Sequence, residues 1–466
     1  MYNGVTFTKA EDLDALCNNA YRILAEIGVL VESPQMVDLL LNAGHKGLKL
    51  ENNRIKVETE LARACFFEAA DKETRPRVPE ASACAEIYEG WYLDPEDGVY
   101  KPWSERRLLD YIKLAKKLEH VNNACMLGCP VPEYESYKKP LYEKLYTAKY
   151  GLSTRMGGYS IWDTSLCPAL YEMWAVIAQE KNLPIEQVFQ GGVYMISPLK
   201  LGRVECEHLL WFRERGLRCF IGCMSSLGMT APITLAGAIS VQLAELMFAS
   251  VASMCLYGFP AVHIWSSLSA SDLRTMNFRY GRPEQLIMNN AMCDIARRFD
   301  MKYWGHDGLT DAKAPSYEAA AQKMATVLAH IMKGERGEIC AGVLSVDEIF
   351  SPTQMVLDNE ITGYLKRICR RFDTDEESLA FEDVLEVVEE GGSFVSSELT
   401  MMKMRQELWM PSIFSSSMYS DWKNTARTDA DLAREKSIEL IRSGDDPESC
   451  ISDLCEQKLL EIIRRY

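Results

Sequence analysis

No familiar catalytic spacing occurs in this chain, so its chemistry has to be sought in scattered side chains. Six histidines stand at positions 45, 120, 208, 263, 306 and 330, and none falls in a zinc-binding pattern. Cys206 and His208 lie two apart in a helical stretch, where such a pair faces apart. His306-Asp307 is the one adjacent histidine–carboxylate pair at an expected strand end, and it reads either as a hydrogen-bonded loop histidine or as a substrate contact. The 15 cysteines form no CxxC pair, the nearest approaches being Cys125/Cys129 and Cys219/Cys223. Cys129, Cys223 and Cys340 have no nucleophile signature around them and read as small buried hydrophobes. There is no GxSxG elbow. The pairs Gly157-Gly158, Gly191-Gly192 and Gly391-Gly392 are neither dinucleotide nor phosphate loops, and they suit tight turns or close approach of a bulky partner.

Aromatic residues give the clearest chemical hint. Trp91, Tyr92, Tyr194, Trp265, Tyr303 and Trp304 fall in loops or at strand ends. A quaternary ammonium has no N–H to donate, so proteins hold it against aromatic faces. Core packing is the competing reading for any one of them, and several at one mouth favour a cation site.

The elements that must position these groups follow from composition and rhythm. The chain has 466 residues, 51 basic against 67 acidic side chains, a net charge of −16 and 47% hydrophobic residues. That is an ordinary globular composition, and an acidic surface repels nucleic acid. Odd, scattered cysteines fit a reducing cytoplasm. The opening MYNGVTFTKAEDLDAL has no basic, apolar leader pattern, so no signal peptide is expected. The apolar tract Leu235 to Tyr257 is broken by Gln242 and Glu245, which predicts a buried helix with no membrane role.

Residues 1–103 read as a helical extension. Thr8 is placed to cap a helix that Gly28 ends, Ser33-Pro34 opens a second, Thr59 to Ala70 forms a third, and Tyr88 to Tyr100 makes an aromatic hairpin. From Ser104 to residue 427, helices alternate with short apolar runs. Strand candidates are residues 124–129, 155–159, 188–195, 218–224, 260–265, 301–304, 338–344 and 393–396. Eight such units predict an α/β fold of the TIM (β/α)8 barrel type, with reactive groups where strands hand over to loops. Residues 428–466 form a charged helical tail.

Five collinear stretches resemble the trimethylamine methyltransferase family of corrinoid-dependent enzymes: RILAEIGVLVESPQMVDLLLNAG, SSLGMTAPITLAGAISVQLAE, GLTDAKAPSYEAAAQK, FSPTQMVLDNEI and RQELWMPSIFSSSMYSDW. The resemblance implies a barrel that passes a methyl group from an amine to the cobalt of a separate corrinoid protein. It also implies no permanently bound cofactor, cobalamin being carried by the partner. Trimethylamine enzymes of the family carry pyrrolysine immediately before the TDAK motif, where this chain has Leu309. The chain therefore resembles the branch without pyrrolysine, whose members demethylate quaternary amines such as glycine betaine, proline betaine, carnitine and γ-butyrobetaine.

A quaternary nitrogen already carries its charge and leaves as a neutral amine, so neither covalent catalyst nor general acid is required, and positioning does the work. The implied substrate contacts are Tyr92, Arg155, Tyr194, Trp265, Trp304, His306 and Leu309, with no catalytic acid, base, nucleophile or metal. His306, Arg155 and the backbone around Ser197 are candidates to hold a substrate carboxylate. Asp311 and Lys313 are expected to shape the TDAK loop, and Arg405 to lie on a docking rim. A homo-oligomer is expected. Two other readings stay open: a zinc-dependent barrel methyltransferase of a thiol or alcohol, using Cys129, His263 and Cys340, and a non-catalytic barrel that binds betaines.

Overall fold

The strand that organises the body lies inside the stretch read as a helical extension. The computed structural model describes residues 6–69, 78–153, 163–189, 191–260 and 263–466. In it Glu80–Ile87 (β1) runs in parallel between two other strands. Ala81, Ala83, Ala85 and Ile87 face a buried apolar layer, leaving Ser82, Cys84 and Glu86 on the opposite face. Alanine, serine and cysteine carry little strand propensity, so this period-two pattern is faint in sequence.

Val121–Met126 (β2) pairs with β1 and sets Cys125 opposite Glu86. Further along, Gly191–Tyr194 (β3) pairs in parallel with Cys219–Gly222 (β4), and His263–Ser266 (β5) with Lys302–Gly305 (β6). Arg336–Ala341 (β7) then returns to the free edge of β1. Among the described ladders these make three parallel arcs, β7·β1·β2, β3·β4 and β5·β6, beside shorter pairings in the loops and the N-terminal part. Single hydrogen bonds extend them. His306 N–H donates to the Ser266 carbonyl (3.0 Å), and Cys340 N–H to the Gly308 carbonyl (3.2 Å).

This is an α/β organisation of parallel strands with helices between them. Among the described residues the arcs do not join into one continuous ladder. The strand expected at 155–159 lies outside the described residues. The strand expected at 393–396 is a short 3-10 turn with no buried residue, since nothing pairs with it or covers it. β1 supplies the parallel strand instead, and a division at residue 103 would cut it from both partners.

The helices follow their sequence signals. Ser104 accepts from the Arg107 N–H (3.3 Å) and starts Glu105–Lys117 (α1), which buries Leu108, Tyr111 and Ile112. A truncation such as Leu108→Ala in that layer costs about 2–5 kcal/mol. Leu235–Tyr257 (α2) is buried all round. It is long and apolar enough to cross a membrane, yet 89% of its apolar window is inside the protein. Pro283–Arg298 (α3), Tyr317–Met332 (α4) and Pro352–Cys369 (α5) each begin beside a strand end, and Ser316 and Ser351 cap the last two.

Near the N-terminus Ser33 caps Pro34–Asn42 as expected. Thr8 does not cap the helix Ala10–Arg22; its own N–H is spent on Asp294 Oδ2 (3.1 Å). Gly28 takes φ +74°, and a Cβ there would meet the Ile55 carbonyl oxygen at 2.5 Å.

Candidate active site

The inner faces of β1, β5, β6 and β7 enclose a cavity of about 300 Å³. Trp265 and Trp304 are register partners on neighbouring strands, so their side chains leave the same face side by side, and both line the cavity. Phe220 lies 6.0 Å from Trp265, ring centre to ring centre. Tyr194 shares this face: a Cβ built on Gly222 would come within 2.7 Å of ring carbons of both Tyr194 and Phe220. The glycine therefore makes room for an aromatic wall.

The opposite wall is charged, which the sequence reading did not expect. Glu86, Arg336 and Glu338 line the cavity with Tyr88, Cys340 and Asp307, the last paired with His330 at 2.9 Å. Arg336 Nε donates to Ser82 Oγ (3.2 Å), Ser82 Oγ donates to Glu338 (3.1 Å), and the guanidinium stands 3.9 Å from that carboxylate. The signal was present as alternation in EASACAEI and RGEICA, but the apolar residues there are too small to mark a strand.

His306 connects the two walls. Its N–H holds Ser266, its carbonyl accepts from Gln285 Nε2 (2.8 Å), and its ring lies edge-on to Tyr280 at 4.7 Å. Nδ1 is out of contact with solvent and has no hydrogen-bond partner. Burial depresses the imidazole to about 4, so it is neutral near pH 7. An orphaned buried nitrogen in a cavity wall is costly, and a ligand atom would relieve it.

Above His306 the loops after β6 and β7 are tied together. Val346 N–H donates to the Thr310 carbonyl (2.9 Å), and Ser345 N–H to that of Ala312 (2.7 Å). Ser345 and Val346 have φ of 51° and 71°, a strained backbone for a β-branched residue. The turn delivers Asp347, whose carboxyl is pushed up to about 6 by burial and by Glu348. Burial also lifts the Tyr88 and Tyr280 hydroxyls well above their usual range, and the charge of Asp347 adds to the rise at each.

Asp311 is buried, accepts from the Tyr280 N–H (3.0 Å) and pairs with Arg282 at 2.7 Å. Lys313 folds onto the Asp311 carbonyl. Both shape the TDAK loop, as the sequence implies.

The sequence-selected residues divide accordingly. Trp265, Trp304 and His306 meet at the cavity, and Tyr194 stands on its aromatic face. Leu309 does not line it. It is buried with Tyr280, Cys340 and Val343, next to Gly308, which has φ +70° and where a Cβ would meet the Glu338 carbonyl oxygen at 2.3 Å. Tyr92 is core packing: its ring meets Trp103 at 5.4 Å and Phe350 at 5.9 Å, away from the cavity. Tyr303 points the other way, its hydroxyl donating to the Asn289 carbonyl (3.1 Å). Arg155 lies outside the described residues. The backbone near Ser197 is not a free anion site, because Glu245 already takes Ser197 Oγ (2.7 Å) and the Leu199 N–H (2.8 Å). Arg405 sits on an exposed helix, Glu398–Glu407.

The ligand set expected for zinc does not assemble from the described residues. Cys129 is buried in a separate apolar layer, with its thiol pushed up to about 12, and the His263 side chain is not described. A different group does assemble: one ligand atom each from Cys84, Glu86 and Cys125 lie within 4.8 Å of one another.

The sequence profile of the trimethylamine methyltransferase family (MTTB) matches residues 2–465. This chain belongs to that family, and membership makes it a methyltransferase. It is 25% identical over 429 residues to the glycine betaine methyltransferase of Desulfitobacterium hafniense (strain Y51), covering 88% of this chain and 87% of that one. It is 26% identical over 270 residues to the trimethylamine methyltransferase MttB of Methanosarcina thermophila, spanning 54% of that protein. The fold is similar to that of the Methanosarcina barkeri monomethylamine methyltransferase (MtmB), with a TM-score of 0.51 at 12% identity, over 94% of this chain and 89% of that one.

Proposed function

We propose that the three arcs belong to one eight-stranded barrel, and that this methyltransferase moves a methyl group from a betaine-type quaternary amine to the Co(I) of a separate corrinoid protein. The observation that carries the reading is a cavity with two tryptophans on one wall and both signs of charge on the other. A zwitterion matches that arrangement. Its ammonium rests against Trp265 and Trp304, a contact worth about 0.5–2 kcal/mol per ring. Its carboxylate takes the orphaned Nδ1–H of neutral His306 and sits in the field of Arg336.

The corrinoid supplies the nucleophile when its protein docks. On this side of the reaction the N–CH3 bond breaks, the electron pair stays on nitrogen, and a neutral amine remains. The aromatic faces hold the cation without an anchored proton donor, and a cage that grips the charge only modestly does not oppose its loss in the transition state. Leu309 has neither a lone pair nor an electrophile for a tertiary amine, so trimethylamine is not a substrate in this reading. The barrel without an acting acid or base works by aligning the methyl group.

The test is a transfer assay with reduced corrinoid protein across glycine betaine, proline betaine, carnitine, γ-butyrobetaine and trimethylamine. Methylation of cobalt from at least one betaine and none from trimethylamine is expected. Tight betaine binding without transfer would turn the reading towards a binding protein.

One observation favours a second reading. Cys84, Glu86 and Cys125 present the ligand types and count of a catalytic zinc site with an open position. Metal analysis of the purified chain separates the two: about one zinc per chain, lost together with activity on chelation, selects the zinc enzyme.

A further inference from the structure

The buried helix α2 carries two polar side chains that the cavity lining does not account for. Its serines aside, Leu235–Tyr257 is apolar except at Gln242 and Glu245, one turn apart and both fully buried. Both reach the strand ends that carry the aromatic wall. Gln242 accepts from the Ser225 N–H (3.1 Å) and donates to the carbonyls of Cys223 (3.3 Å) and Trp265 (3.5 Å). Glu245 accepts from Ser225 Oγ (3.1 Å), Ser197 Oγ (2.7 Å) and the Leu199 N–H (2.8 Å). These groups lie just past β3 and β4 and on β5, the strands that bear Tyr194, Phe220 and Trp265.

The contacts explain Gln242, whose amide ties two strand ends and is itself satisfied. They do not explain Glu245. Among the described residues no lysine, arginine or histidine stands against its carboxylate. Burial raises its pKa, and the three donors pull it back down. A buried charge without a counter-ion is costly. Serine hydroxyls accept as readily as they donate, so a glutamine here would serve Ser197, Ser225 and Leu199 at lower cost. Holding the loops requires a polar side chain and gives no reason for a charged one. The charge is felt at the strand end: burial lifts the Cys223 thiol well above its usual range, and Glu245 adds to the rise.

We propose that Glu245 is the counter-charge of the cation site, a carboxylate held on the helix side of the strands that bear Tyr194, Phe220 and Trp265, which attracts the quaternary nitrogen across the aromatic wall without touching it. The inference takes its ligand from the betaine reading above. In an interior poor in water one charge acts over several ångströms. The placement suits the reaction. A carboxylate pressed against the nitrogen would hold the substrate more firmly than the transition state and slow the transfer. At one remove it favours entry of a cation and gives no hold on the neutral amine that remains. Glu245 thus selects for a positive head group and takes no part in the bond changes.

Calorimetric binding of glycine betaine and of its carbon isostere 3,3-dimethylbutyrate, in which a neutral quaternary carbon replaces the nitrogen, tests this on the full chain. The wild type is expected to prefer the betaine. Glu245→Gln keeps the shape and removes the charge; it should lose about tenfold in betaine affinity, the scale of one charge acting through protein, and bind the isostere unchanged. Glu245→Asp alters the shape and keeps the charge, and it should stay closer to the wild type. A role confined to holding the loops reverses that order and weakens both ligands together, which overturns the proposal. So does a Glu245→Gln protein that keeps the full preference for betaine. In the transfer assay with reduced corrinoid protein, Glu245→Gln should raise KM for the betaine with no fall in kcat, and a fall in kcat at unchanged KM overturns the proposal. Equal affinity of the wild type for the two ligands overturns it before any variant is made. A wild type that binds neither ligand overturns the betaine reading and this inference with it, whereas a preference for betaine that survives in Glu245→Gln overturns this inference alone.

Discussion

The two walls of the cavity differ in kind although both are built of parallel strands. β3 to β6 turn inward Tyr194, Phe220, Trp265 and Trp304, with Gly222 clearing space among them. β7, β1 and β2 turn inward Arg336, Glu338, Cys84, Glu86 and Cys125. Aromatic rings need room and little else, so glycine is their structural complement. Charges need partners, so the other wall is knit by Ser82 and by the pairs behind it. The difference gives the cavity a direction, an aromatic face and a charged face, and it lets each face be broken separately.

The largest effect is expected behind the charged wall. Lys323 and Asp358 are both fully buried, 2.6 Å apart, and they also hold the Cys340 carbonyl (2.7 Å) and the Gly342 N–H (2.8 Å). Lys323→Met leaves a buried carboxylate unpaired, and denaturant unfolding should show a loss of about 3–5 kcal/mol. The double variant Lys323→Met with Asp358→Leu should recover part of it.

His306 tests the join between the walls. Its imidazole is depressed from 6.5 to about 4 in the fold, so between these pH values the unfolded chain binds the extra proton. Stability attributable to this residue is therefore full above pH 6.5 and is lost as pH falls towards 4, by up to about 3 kcal/mol. Asp347 is raised to about 6, which gives the opposite slope over part of that range. The difference in unfolding free energy between the wild type and His306→Phe, followed from pH 7 to pH 4.5, isolates the histidine. The wild type should lose stability relative to the variant on acidification.

The aromatic wall is expected to answer in binding. Trp304→Ala and Trp265→Ala should each raise KM for the quaternary amine, by up to about thirty-fold if a ring is worth about 2 kcal/mol. Tyr92→Phe should leave KM unchanged, because that ring sits in the core beside Trp103. The smallest effect is at Leu309. Leu309→Ser should give no trimethylamine activity in the same transfer assay, because a hydroxyl does not replace the missing electrophile.

What could be read in the sequence was the bulky half. Trp265, Trp304 and His306 follow recognisable apolar strands, so their place at strand ends could be inferred before any coordinates. The charged half was hidden because β1 is written in Ala, Cys, Ser and Glu, residues that do not advertise a strand. With β1 hidden in this way Glu86 has no place in the sequence pattern, and the eighth expected strand falls on Ser393 to Ser396, which forms a 3-10 turn. Tyr92 misled for the reverse reason. An aromatic beside a turn looks exposed until Phe350 arrives from far along the chain to cover it. Tyr280 and Asp347 depend on contacts between the loops after β6 and β7, which no local pattern reports.

The central claim is that one cavity holds both ends of a zwitterion. Titration calorimetry of the wild type and of His306→Phe with glycine betaine and with tetramethylammonium tests it most directly. The account predicts that the wild type prefers the betaine, and that His306→Phe loses about tenfold in betaine affinity, as for one charge-assisted hydrogen bond, while tetramethylammonium binding is unaltered. Equal binding of the two ligands by the wild type, or an equal loss for both in the variant, would contradict it.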